Sequence, residues 1–128
     1  MNTDEGTRMD TNELTQKIIG CAMKVSNTLG AGFLEKVYEN ALGIELRKAG
    51  LTAFQQHPIS VYYEEIEVGS YFADILVNDR VVVELKAAKE IDEVHQAQLL
   101  NYLKATKIQT GLILNFGTPR LGIKRMML

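Results

Sequence analysis

The stretch from Tyr71 to Ala87, YFADILVNDRVVVELKA, constrains this chain more than any other. Two runs rich in Val, Ile and Leu flank Asn78-Asp79, a composition that makes two strands around a tight turn. Three charges interrupt the apolar background: Asp74, Glu84 and Lys86. A desolvated charge is costly unless something binds it, so the hairpin must account for all three.

The register decides whether they meet. A two-residue loop pairs Val77 with Arg80 and sends Asp74 and Glu84 to opposite faces. A three-residue loop, Asn78-Asp79-Arg80, pairs Val77 with Val81, setting Asp74 opposite Glu84 and Phe72 opposite Lys86. Strand periodicity then collects Ala73, Ile75, Val77, Val81, Val83 and Leu85 on the other face, small and apolar as a core requires. We expect the second register, although it asks for a residue near the left-handed region at the loop's end, a poor place for Arg80. Opposed Asp and Glu repel each other. A divalent cation between them removes that penalty, and hard oxygen donors suit Mg2+ or Mn2+. The competing reading is a solvated face with ordinary charge pairing.

The remaining elements give α-α-β-β-β-α-β-β. Leu14, Ile18, Cys21, Ala22, Val25 and Leu29 recur at helical spacing and predict a helix over 12–29, capped by Asp10 or Thr11 and ended at Gly30. Leu34, Val37, Tyr38, Ala41, Leu42 and Leu46 predict a second over 33–49, stopped by Gly50. Glu35 falls near its start, where the helix dipole favours an acid. A short strand over 51–54 and another beginning at His57-Pro58 lead into the hairpin, an antiparallel meander of about three strands. His57 is expected to face solvent in a loop. Tyr62 and Tyr63 offer flat faces for a nucleic-acid base, with one of them expected to pack against a helix. A third helix over 91–104 places Ile91, Val94, Ala97, Gln98, Leu99, Tyr102 and Leu103 inward, with Gln98 and Tyr102 one turn apart. Residues 110–116 read as a strand covered on both faces, and 121–128 as a last strand.

With 128 residues the chain is expected to form a single domain over 11–128 behind a flexible tail at 1–10. One cysteine, Cys21, excludes an internal disulfide and a cysteine-cluster metal site. No signal peptide or membrane-spanning run is visible, so the expected compartment is the cytoplasm. The net charge is −2; residues 65–128 hold eight basic and eight acidic side chains against six and eight before them. Tight nonspecific nucleic-acid binding is therefore not expected, whereas a local basic rim is.

These residues carry a resemblance. Gly32-Phe-Leu-Glu35-Lys-Val-Tyr38 resembles the signature of the GxxExxY protein family. Asp74 followed by Glu84-Leu85-Lys86 resembles the PD-(D/E)XK nuclease core, with Ala73 where a proline often stands. Gln98-Leu-Leu-Asn-Tyr102 resembles the QxxxY element of several such nucleases. The likeness runs from about residue 12 to the end. It implies an α/β fold with a restriction-endonuclease-like core, a mixed central β-sheet flanked by α-helices. It implies that Asp74, Glu84 and the Leu85 carbonyl hold Mg2+, or Mn2+, with Glu35 binding directly or through water. Lys86 would be the active-site lysine, and Gln98 and Tyr102 would lie beside it. The implied activity is metal-dependent hydrolysis of phosphodiester bonds in nucleic acid. None of these residues is a natural general acid, which leaves a second metal or bulk water for the leaving oxygen. The alternatives are a non-catalytic module binding nucleic acid or protein on the same fold, and a purely structural domain without metal. DNA and RNA, exonuclease and endonuclease, and monomer and homodimer all remain open.

Overall fold

The computed structural model describes residues 9–128. The expected tail over 1–10 lies almost wholly outside the described residues; Met9 and Asp10 lead directly into the first helix. Five strands form one sheet in the order β1-β2-β3-β4-β5: β1 (Ala53–Tyr63), β2 (Ile66–Val77), β3 (Val81–Lys86), β4 (Thr110–Asn115) and β5 (Gly122–Met127). All neighbours are antiparallel except β3 and β4, which are parallel. Parallel neighbours need a crossover, supplied here by a helix, α3 (Glu93–Thr106). The helices α1 (Thr11–Leu29) and α2 (Glu35–Lys48) complete the expected mixed sheet flanked by helices. No helix among the described residues is long and apolar enough to cross a membrane.

Alternation along the strands divides the core into two layers. Ile75, Val77, Val81, Val83, Leu85, Leu112, Leu114 and Phe116 pack with α1 and α2 through Leu14, Ile18, Ala22, Tyr38, Leu42 and Leu46. Leu76, Val82 and Ile113 point the other way, onto Leu99, Tyr102 and Leu103 of α3. All six residues of β4 are buried, as a strand covered on both faces must be.

The hairpin adopts the expected register, Val77 opposite Val81. The left-handed residues are Asn78 (φ 52°) and Asp79 (φ 54°), and the Arg80 N–H closes the turn onto the Val77 carbonyl. The strain therefore falls on residue types that tolerate it, and Arg80 is relieved of it. The Asn78 side chain accepts from the Thr52 N–H at 2.8 Å, and the Arg80 guanidinium reaches the Met9 carbonyl and the Thr11 hydroxyl.

Some expectations fail at the edges. Residues 51–54 and 57–63 are not two strands; β1 is continuous from Ala53, with His57 and Pro58 inside it. Proline is tolerated there because β1 is an edge strand. His57 is half-buried rather than solvent-facing, meets the Phe54 ring edge-on, and has its Nδ1 buried without a partner. Neither Tyr62 nor Tyr63 is packed away; both are exposed. Leu34 precedes α2 and is 82% exposed. Val94 and Ala97 are exposed as well, because α3 is turned so that Leu99, Tyr102 and Leu103 meet the sheet.

The chain after β3 is held by backbone contacts that leave no room for a side chain. Asn115, itself buried, accepts from the Ala88 N–H and donates to the Ala88 carbonyl, both at 3.0 Å. A Cβ on Gly117 would lie 2.2 Å from that carbonyl oxygen. Gly117→Ala should therefore cost about 1–3 kcal/mol of stability in urea unfolding. Gly20→Ala, on a helix face with nothing within 4 Å, should stabilise by about 0.4–1 kcal/mol. A Gly117→Ala midpoint equal to the parent's would contradict this packing.

Candidate functional site

The ladder between β2 and β3 stops at Ile75–Val83, one step short of Asp74 and Glu84. A different connection replaces it. The Asp74 N–H donates to Glu84 Oε2, and the Leu85 N–H donates to Asp74 Oδ2, both at 2.8 Å. Each carboxylate thus takes a backbone amide of the other strand or its neighbour, a reciprocal clasp that fixes both acids in position.

The other side of β2 explains why the ladder breaks here. Between β1 and β2 the pair Gln56–Asp74 is missing from the run that extends from Ala53–Val77 to Val61–Gly69, and Gln56 adopts φ 55°. The kink upsets the alternation of faces. Gln55 and Gln56 both reach Glu39 on α2, at 2.7 and 2.9 Å. Beyond it, Ala73 joins Ile59 and Leu76 in the layer under α3. The expectation that Ala73 shares a face with Ile75 is therefore wrong, because a simple period of two does not survive a left-handed residue in the neighbouring strand.

The electrostatics follow from this burial. Glu84 is only 4% exposed. Burial, and then repulsion from Asp74, pushes its carboxyl up to about 8; the Asp74 N–H and Lys86 oppose the shift, and Glu35 adds to it. Burial also raises Asp74, with Glu39 and Glu35 adding repulsion against the Leu85 N–H and Lys86. Among the described residues no Lys or Arg lies within ion-pairing distance of either acid. Lys86 instead directs its ammonium to Gln98 Oε1 at 3.4 Å. Tyr102 is buried beneath the exposed Tyr71, ring centroids 5.8 Å apart. Burial followed by the fields of Glu84 and Asp74 raises its phenol, so it remains neutral.

The six candidate residues are thus not equally gathered. Asp74 and Glu84 are clasped together, and Lys86 and Gln98 are joined beside them. Glu35 occupies the first turn of α2, exposed and without a hydrogen bond among the described residues; its field reaches both acids. Among the described residues no group of three His, Cys, Asp or Glu side chains is placed to hold a metal. Glu35 therefore stands apart from the clasped pair, on a helix whose Tyr38 is fixed by other contacts. Tyr38 donates to the Gly30 carbonyl at 2.6 Å, accepts from the Phe33 N–H and stacks on Phe116 at 4.7 Å. Two desolvated carboxylates without a cationic partner remain a donor set suited to a hard divalent cation.

Sequence reasoning missed Glu39 and Asn115. Glu39 is buried, accepts from Lys36, Gln55 and Gln56, and adds to the repulsion on Asp74. Its signal was its position four residues after Glu35, on the same side of the helix. Asn115 ends an apolar strand with nothing to distinguish it from a turn residue.

The family model of the PD-(D/E)XK nuclease superfamily matches residues 12–126. That is most of the chain, and the protein belongs to this superfamily. No curated protein and no solved structure matches it.

The raised Glu84 carboxyl has a thermodynamic consequence. Its folded pKa, about 8, lies above the ordinary value of 4.5. Its contribution to stability is therefore complete below about pH 4.5 and is lost as pH rises through about 8. Metal-free protein should lose on the order of 5 kcal/mol across that window. Glu84→Gln, which cannot ionise, should remove most of the decline in urea unfolding at a series of pH values. An unchanged slope in Glu84→Gln would place the strain elsewhere.

Proposed function

We propose that this member of the PD-(D/E)XK nuclease superfamily engages nucleic-acid phosphate at the Asp74–Glu84–Lys86–Gln98 cluster and, with Mg2+ or Mn2+ held there, hydrolyses phosphodiester bonds. One domain over 11–128 would carry the activity, and Gly32, Glu35 and Tyr38 support assignment to the GxxExxY branch. The observation that carries the reading is the clasped, desolvated carboxylate pair beside a lysine that is not paired with it. Such a pair is poorly explained as a solvated face, because Glu84 is buried.

Asp74, Glu84 and the Leu85 carbonyl would hold the cation, with Glu35 contributing through water from its exposed position. When bound, the cation supplies Lewis acidity toward a phosphoryl oxygen and the attacking water. Lys86 places positive charge where the phosphoryl group becomes more negative, or orients the water. Gln98 steadies that ammonium through its Oε1, and Tyr102 closes the site from below as a neutral phenol. Water would form the new bond to phosphorus and give up a proton to solvent, as the bond from phosphorus to the 3′ oxygen breaks and that oxygen takes a proton from solvent.

A second reading has a specific observation behind it. With only two acids clasped and Glu35 apart, the geometry alone goes further toward a module that binds nucleic acid or protein without cutting than toward a finished catalyst.

Paired variants separate the readings. Asp74→Ala should lose divalent-cation affinity and cleavage together. Lys86→Ala should still bind the cation in calorimetric titration while turnover falls by about 10²–10³. Cleavage should be assayed on single-stranded, duplex and branched substrates. Cation and nucleic-acid binding without cleavage of any of them selects the binding module. A parent protein that binds no divalent cation, even with nucleic acid present, leaves a structural domain.

A further inference from the structure

A groove of about 880 Å³ runs between the β1–β2 hairpin and α3. Tyr62 and Tyr71 stand on the strand side, exposed by 63% and 49%. Lys104 and Lys107 stand on the helix side, and neither forms an ion pair among the described residues. No acidic residue lines the groove, although the chain as a whole is acidic. Its lining also includes Gln98, which accepts from Lys86, and Tyr102, which the fields of Glu84 and Asp74 reach, so the groove leads toward the site.

We infer that this groove binds single-stranded nucleic acid, with bases stacked on Tyr62 and Tyr71 and phosphates facing Lys104 and Lys107. The inference rests on the reading of the site as one for nucleic-acid phosphate and narrows its substrate to an unpaired strand. Tyr71 packs on Tyr102 yet leaves about half of its surface open, Tyr62 is more exposed still, and a flat ring accepts any base. Base faces are available to such rings only where they are not already stacked in a duplex. The two lysines supply charge complementarity on the wall opposite the rings, where a backbone would lie once the bases are stacked. A strand seated in this way passes over Gln98 toward Lys86. A duplex presents phosphates but no free base faces, so it uses only half of the groove.

The test is fluorescence anisotropy of labelled thymidine and uridine oligonucleotides of equal length, and of a blunt duplex, in EDTA so that no cleavage intervenes. The single strands should bind at least about tenfold tighter than the duplex. Two phosphate contacts predict a slope of about −1.4 for log affinity against log salt, falling to about −0.7 in Lys104→Ala. Tyr62→Ala should weaken single-strand binding about tenfold, and Tyr62→Phe should restore it. Tyr62 is exposed, and circular dichroism confirms folding of each variant. Binding to one sugar type alone supports the groove and identifies the strand. Equal affinity for duplex and single strand, or parent affinity in Tyr62→Ala, overturns the inference. So does the absence of oligonucleotide binding, including the case in which the groove is filled by self-association in sedimentation. Single-strand binding with the expected variant effects but no cleavage in Mg2+ supports the groove and removes the hydrolytic reading. Cleavage unaffected by Tyr62→Ala at subsaturating substrate does the reverse.

Discussion

Two backbone amides and two carboxylates join β2 to β3 at the candidate site. Where the β2–β3 ladder would otherwise continue, the Asp74 and Leu85 N–H groups are taken by the side chains of Glu84 and Asp74. Hydrogen bonds from backbone amides favour the charged form of a carboxylate, while burial and mutual repulsion disfavour it. At Glu84 burial prevails. The fold therefore holds two acids close together in a position that suits neither while they lack a counter-charge. Truncating one acid would free an amide as well as remove a charge, whereas an amide in its place would remove the charge and keep an oxygen acceptor.

The surroundings keep that arrangement from relaxing. Glu39 draws Gln55 and Gln56 to one side and so maintains the kink opposite Asp74. Tyr38 binds the loop before α2 and stacks on Phe116, linking that helix to the end of β4. Asn115 grips Ala88, and the Phe116 N–H donates to the Lys86 carbonyl at 2.8 Å, fixing the exit of β3 just past the lysine. Tyrosine and acid in the Gly32–Tyr38 segment thus differ in their surroundings: Tyr38 is buried and bonded to the loop, whereas Glu35 is exposed and its field reaches the acid pair. Side chains fixed from several elements are what a site needs to hold its geometry when a ligand arrives.

Much of this was legible in the residues, and the failures share a cause. Alternation in β3 and continuous apolarity in β4 identified the two-layered centre, because burial there selects one side-chain type at each position. The Val77–Val81 register followed from the same sorting. What periodicity could not show was where regularity ends. The left-handed Gln56 reverses the face of Ala73, and the turn places its strain on Asn78 and Asp79 rather than Arg80. Val94 shares the helical spacing of the inward residues of α3 but stands exposed at the rim of a groove, which apolar periodicity does not distinguish from the core. Nothing in the pattern of apolar residues marks Glu39, since its partners come from a strand whose local kink leaves no trace there.

The carboxylate pair is strained without a cation and should be relieved by one. Carboxyl ¹³C NMR titration of Glu84, with and without Mg2+, measures this directly. Metal-free protein should show an apparent pKa near 8, with a marked downward shift when Mg2+ is added. Titration in the ordinary glutamate range under both conditions would contradict it.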